Sequence, residues 1–371
     1  MRKKISFLIL PLIAFLGIFI AGIILFASDS KKYAHIYIDP ASSSALFQMA
    51  DFIKQPKSDP KYVAWIRSAH SYTDQFLTEN NIFLSSAQNS TKATEFVDIL
   101  KDEIQDFYRQ NKKAQFIVHL NMRHVERNFD PIIPIIPRDQ IKKIYMYEDS
   151  VGVLLWDFWT SMKKNEEIAA KYPVVFRISY KKEALKRHPQ LNNYQLEEVN
   201  FHLLHQHLSE SQKKMLYQLA DFNEREMKLL VKDNNFVIFL DDPFMSVNAA
   251  FKHVDTILAE NPNLKKLLWL YKQHPRESEP GIAYQYLKKR VDKLYVMAPK
   301  IPLEIMVISD FNPQYIGNGS SVFFSLKKEQ ILGYFERKLD IIGRKYDVYL
   351  PVLKSLNILD DSNTFLMPDK N

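Results

Sequence analysis

The chain contains no cysteine, which removes disulfide scaffolds, thiolate zinc sites and cysteine nucleophiles from consideration. Glycine is also scarce. There are 8 glycines in 371 residues, and neither a GxGxxG nor a GxxxxGKS/T pattern occurs, so a glycine-rich phosphate loop is not expected. No basic helix, zinc finger or RNP-like motif is visible, which argues against nucleic acid as a partner. Hydrophobic residues make up 46% and charged residues 25%, the balance of a globular rather than a disordered chain. A chain of 371 residues is too long for one ordinary core and suits two domains.

The net charge is +7, and much of the excess is local. Residues 262–300 carry nine Lys and Arg against three Asp and Glu. Two readings of this cluster stay open: a solvated helix face around "YLKKRVDK", or a field that attracts an anionic ligand.

Residues 5–27, "ISFLILPLIAFLGIFIAGIILFA", carry no charge and follow "MRKK". At about 1.5 Å of rise per residue, this stretch is long enough to cross a bilayer as a helix. A secretory signal core needs only about 7–15 such residues. The expectation is therefore an uncleaved single-pass anchor, with a cleaved signal as the alternative. The leading basic residues favour an internal N-terminus, but Lys31 and Lys32 weaken that inference and leave sidedness open.

Beyond the anchor, short β-rich runs alternate with helical patterns. Expected strands are 34–39, 81–86, 114–120 and 142–149, with a helix over 91–110 whose Phe96, Ile99, Ile104 and Phe107 fall close to one face. A helical middle follows, including 208–230 with Ser209 as its N-cap. The alternation then restarts: strand 234–240, helix 246–260, strand 267–273, helix near 282–293, strand 294–299, and a further strand or turn before "GSSVFFSL". This order predicts α/β architecture, with two Rossmann-like domains facing a cleft. In such sheets ligands bind at the carboxyl ends of the strands.

The polar candidates cluster just past these strands. "LYKQHPRESE" places Lys272, His274 and Arg276 at alternate positions, which would put them on one strand face, with Pro275 between the last two. "YMYEDS" ends a strand with Glu148 and Asp149, "HLNMRH" ends another with His124, and "GNGSS" places Ser320 and Ser321 before an apolar run and a Lys-rich helix. An acid, a histidine, cations and a hydroxyl pair are the parts needed to move a group from a phosphate leaving group to a hydroxyl. The carboxylate pair reads equally as a cap, and the basic face as a salt-bridged surface with Glu277 and Glu279 as partners. "HLLHQH" (202–207) superficially has metal-ligand spacing, but it lies in a polar helical stretch with no matching ligand set.

"IYIDPASSSALFQMADFI", "VHLNMRH", "YMYEDS", "LSESQKKMLYQLADFNE", "KQHPR", "SSVFFSL" and "LKSLNILDDSNTFL" follow one another as in the bacterial sialyltransferases of glycosyltransferase family 80. The chain resembles that family, with gaps, from about residue 34 to the C-terminus. The resemblance implies a GT-B fold preceded by the N-terminal transmembrane helix. Its expected parts are an anchor or signal (1–32), an acceptor-side domain (33–172), a CMP-donor domain (173–345), and a C-terminal segment (346–371) that returns to the first domain. It implies transfer of sialic acid from CMP-sialic acid to a terminal galactoside by an inverting single displacement, with no metal and no cofactor beyond the donor substrate. The implied acceptor is a surface lipooligosaccharide or similar glycan, and the location the bacterial inner membrane.

By that similarity Asp149 is the general base, and His274 the general acid or the cation on the departing phosphate. Ser320 and Ser321 bind the phosphate, Lys272 lies along the nucleotide, Glu304 holds the cytidine through its ribose, and Ser42 borders the donor. His124 and Arg276 face the acceptor. The sequence departs from the family pattern at four places. Ser150 and Gln273 stand where glycines are usual, Pro302 replaces a serine, and residues 239–246 lack the acceptor-stacking tryptophan, leaving Phe244 or Met245 to fill the place.

Overall fold

The computed structural model describes residues 32–40, 42–66, 72–89, 93–149, 152–155, 158–232, 235–241, 247–273, 279–299, 301–318, 320–336 and 349–365. The expected anchor at 5–27 lies outside them. Among the described residues no helix is long and apolar enough to cross a membrane.

Two wholly parallel sheets organise the chain. The first contains β1 (Tyr33–Asp39), β2 (Lys61–Trp65), β3 (Ile82–Leu84), β4 (Gln115–Asn121), β5 (Ile141–Tyr147), β6 (Val174–Ile178) and β7 (Gln195–Glu198), in the spatial order β3-β2-β1-β4-β5-β6-β7. The second contains β8 (Phe236–Leu240), β9 (Leu268–Lys272), β10 (Lys293–Met297), β11 (Gln314–Gly317), β12 (Ile331–Phe335) and β13 (Thr364–Phe365), in the order β10-β9-β8-β11-β12-β13. Each order reverses direction once, between β1 and β4 and between β8 and β11. That reversal opens a crevice at the carboxyl ends of the strands. Strand composition explains the burial. The central strands β1, β8 and β9 are apolar runs buried on both faces, as parallel strands covered by helices must be.

The second switch point depends on one glycine. Gly317 ends β11 with φ +149, and a Cβ there would lie 2.5 Å from Leu240 Cβ on β8. No other side chain fits between these two strand ends.

Several expectations shift. The first domain does not stop at 172: β6 pairs with β5 and β7 with β6, so its sheet continues to Glu198. The run "VVFRI" after Pro173 is a strand of the first sheet rather than the start of the second domain. The segment 208–230 forms two helices, Glu210–Leu219 and Glu224–Leu230. They part where Asp221 turns left-handed (φ 53) and Asn223 caps the next helix through Glu226 N. Ser209 caps the first of these helices in a full capping box. After Ser320 the apolar run is a 3-10 turn, Ser321–Ser325, and the following lysines lie in another short turn, Lys328–Gln330, rather than in a Lys-rich helix. Near the C-terminus, Ser355 Oγ accepts from Arg187 of the first domain at 3.3 Å, while β13 joins the second sheet beside β12.

Candidate active site

Two walls meet at the carboxyl ends of the sheets. On the first-domain wall, Glu148 and Asp149 follow β5 directly, and their neighbouring positions give them different surroundings. Glu148 is buried; its two oxygens accept from Val153 N (2.7 Å) and Ser179 N (2.6 Å). It thus ties the end of β5 to helix Gly152–Leu155 and to the end of β6. Burial pushes its carboxyl up to about 8, against the pull of those two N–H groups and with a smaller push from Asp149. Asp149 keeps 11% of its side chain exposed and pairs with Arg123 at 3.3 Å. Glu148 is therefore the structural member of the pair, and Asp149 the more exposed one.

Arg123 was not singled out from sequence. It follows β4 in the turn Met122–His124, where Asn121 Oδ1 accepts its N–H at 2.9 Å. Asn121 also donates to Asp39 Oδ1 (3.2 Å) and Ser44 Oγ (2.8 Å), joining the ends of β4 and β1 to the helix Ser42–Phe52. The backbones of Ser42 and His124 thus sit at this same edge; their side chains are outside the description. His274 and Arg276 lie in 274–278, outside the described residues.

On the second-domain wall β9 ends at Lys272. Lys272 is buried, and its ammonium donates to the carbonyls of Ala298 (2.8 Å) and Pro299 (2.6 Å). Burial draws its pKa down to about 7, with Glu304 opposing. Its visible work is to fasten the chain that leaves β10.

Glu304 is buried and accepts from Ser321 Oγ at 2.8 Å. Burial raises its carboxyl above the usual range, and among the smaller influences the charge of Asp149 adds to the rise. Ser320 is partly exposed, its hydroxyl turned toward Val322 N at 3.5 Å. Gln273 Nε2 and Asn318 Oδ1, at the ends of β9 and β11, are buried with no hydrogen-bond partner among the described residues.

A cavity of about 230 Å³ connects the walls, lined from the first domain by Phe47, Ser179, Tyr180, Glu198 and the segment 200–203, and from the second by Glu304, Ser321, Phe324 and Ser325. Tyr180 OH donates to the carbonyl of Phe324 across the junction, and His205 Nδ1 lies 2.8 Å from the carbonyl of Ile308. The histidines of "HLLHQH" thus sit on a helix, Phe201–His207, that docks one domain on the other. Among the described residues no group of three or more His, Cys, Asp or Glu side chains is placed to hold a metal ion.

No protein-family model matches the chain, and no curated protein matches it by sequence. Solved structures do match. An α/β-galactoside α-2,3-sialyltransferase from Photobacterium phosphoreum superposes with a TM-score of 0.67 at 18% identity, covering 91% of this chain and 99% of that one. A 2,6-sialyltransferase from Photobacterium sp. JT-ISH-224, solved with the donor product CMP and the acceptor lactose, gives 0.64 at 16% identity, covering 90% and 78%. A UDP-GlcNAc 2-epimerase from Methanocaldococcus jannaschii gives 0.51 at 12% identity, covering 91% and 89%. The fold is the two-domain GT-B architecture of the bacterial sialyltransferases, as the resemblance in sequence implied.

Proposed function

We propose that the protein is a sialyltransferase that moves sialic acid from CMP-sialic acid to a terminal galactoside hydroxyl by a metal-independent, inverting single displacement. One observation carries the reading: a single cavity is walled by both domains, with Glu304 and the Ser321 hydroxyl that it holds on the second-domain side, while Asp149 follows β5 on the first-domain side and pairs there with Arg123. A base and a phosphate-binding hydroxyl on opposite walls of one cleft are what a displacement between a sugar acceptor and a nucleotide donor needs. The likeness in fold to sialyltransferases supports the choice of donor.

In this reading Asp149 removes the acceptor proton, with Arg123 holding its carboxylate in place. His274 serves the departing phosphate as acid or cation. Ser320 and Ser321 donate to that phosphate; the Ser321 hydroxyl turns to it from Glu304, which holds the ribose. Lys272 acts beneath the nucleotide by fixing the carbonyls of residues 298 and 299. Ser42 borders the donor, His124 and Arg276 face the acceptor, and residues 5–27 anchor the enzyme in the bacterial inner membrane close to a membrane-borne glycan acceptor such as lipooligosaccharide.

A donor panel tests this. With lactose as acceptor, CMP-sialic acid should be consumed and UDP-hexoses left intact. Consumption of a UDP-sugar instead would favour a different nucleotide-sugar enzyme on the same fold, for which the epimerase likeness gives a precedent. Binding of CMP-sialic acid without turnover would leave a silent binding protein.

A further inference from the structure

Much of the positive charge in residues 262–300 lies away from the cleft. Lys265 and Lys266 close the turn Pro262–Lys266 before β9, Lys288 and Lys289 end the helix Ile282–Lys288, and Lys293 opens β10. The fold gathers these three segments at the amino ends of β9 and β10, opposite to the site. Lys293 stands beside Leu268 in the parallel pair, and Asp292 N donates to the carbonyl of Lys265 at 2.9 Å. All five lysines are exposed, and none pairs with a carboxylate among the described residues. The exposed acids Asp292 and Glu260 only partly offset them, so the patch stays positive.

The lysines border an apolar edge. β10 is the outer strand of the second sheet, and it leaves Tyr295 50% and Val296 43% exposed. A lysine on an edge strand commonly guards against edge-to-edge pairing, and Lys293 alone would serve that end. Five lysines from three segments exceed it.

The residue types choose the partner. Lysine is depleted at protein–protein interfaces, which disfavours a protein surface. Recognition of nucleic acid draws on the forked donors of arginine. The arginine here, Arg290, is held by Asp255 at 2.7 Å and lies over the Tyr286 ring, so its guanidinium is engaged within the fold. Lysines that act as point charges, beside an exposed tyrosine and a small apolar group, match the headgroup layer of an anionic bilayer. There lysine meets lipid phosphate and tyrosine sits at the level of the headgroups.

We propose that the β10 edge and its five lysines form a docking surface for an anionic phospholipid membrane. The five residues of β10 span about 17 Å, so contact along this edge holds the carboxyl ends of the strands, and the cleft there, within that distance of the headgroups. The surface is independent of the donor reading, because none of its residues lines the cleft.

The absence of cysteine makes a direct test possible. Val296→Cys in the full chain carries a single fluorophore that brightens in apolar surroundings. The labelled protein is mixed with vesicles of phosphatidylcholine, with and without phosphatidylglycerol. An anchor at residues 5–27 would hold the chain on both kinds of vesicle alike, so the label separates surface contact from anchoring. The label should brighten only where phosphatidylglycerol is present, and high salt should reverse the change. Each lysine near an anionic surface strengthens contact about fivefold, so replacing Lys288, Lys289 and Lys293 by Gln should lower the docked-to-undocked ratio about a hundredfold. Replacing the same three by Arg should preserve it. Unchanged melting temperatures and unchanged transfer to lactose verify the fold of both variants. No brightening, equal brightening on both lipids, or brightening that the Gln variant retains overturns the proposal. Brightening without vesicles, on adding DNA or more protein, assigns the face to nucleic acid or to a second copy and also overturns it.

Discussion

Replacing Asp149 by Asn removes the proposed base while keeping its shape. The Arg123 pair is half exposed on the arginine side, so losing its charge should cost about 0–1 kcal/mol of stability. The loss in the transition state should be much larger. General-base catalysis is worth about 10²–10⁴ in rate, or about 3–5 kcal/mol of barrier. Affinity for CMP should stay constant or tighten slightly, since Asp149 stands on the opposite wall and its charge acts unfavourably on Glu304. Three measurements separate these terms: kcat/KM for transfer to lactose, calorimetric Kd for CMP, and the urea midpoint. A fall in kcat/KM of less than about tenfold, or a parallel loss of CMP affinity, would refute the role of Asp149 as base.

Further outcomes follow from other residues. Gly317→Ala should destabilise the second domain by at least about 2 kcal/mol in urea unfolding, because the added Cβ meets Leu240 Cβ at 2.5 Å from a backbone conformation that glycine tolerates; a change within about 0.5 kcal/mol would contradict the packing described. Glu148 has a carboxyl raised by burial to about 8, so its stabilising effect is fully present below the unfolded value near 4.5 and is lost as pH rises toward 8. Urea midpoints of wild type and Glu148→Gln between pH 5 and 8 should show that slope in the first and a flatter one in the second. His35, lowered by burial to about 4, acts at the other end: its neutral form supports the fold above about 6.5, and stability should fall as pH drops from there toward 4. A chelator should leave the transfer rate unchanged, and strong inhibition would require a metal that the reading does not include.

Much of the fold is legible because its strands are near-continuous apolar runs bounded by polar turns. "AHIYID", "NNFVIFL" and "LLWLYKQ" each contain one central strand, displaced by a residue or two at the ends. The boundary between domains is harder to read. β7, "QLEE", is an edge strand with little apolar content, and β6 precedes a helical stretch that resembles a linker. Pairing with β5 decides their membership, and pairing is a long-range property. The site divides in the same way. Asp149 and Ser321 are conspicuous because each sits at a strand end in a polar cluster, whereas Glu198 and Tyr180 come from segments with no motif, and His202 from a stretch whose spacing points to metal rather than to a cleft; all three gain meaning only when the domains meet. Lys272 is visible as a basic residue at a strand end, but not the fact that its ammonium is consumed by two carbonyls. Composition and spacing leave Glu148 and Asp149 alike, and the family resemblance alone prefers Asp149; the N–H groups of Val153 and Ser179 supply the structural reason by engaging Glu148.

The most direct measurement is an NMR time course of the protein mixed with CMP-sialic acid and lactose. The account predicts that CMP and sialyl-lactose appear together in equal amounts, the new linkage having the anomeric configuration opposite to that of the donor. Retained configuration, or release of CMP with free sialic acid and no sialyl-lactose, would contradict it.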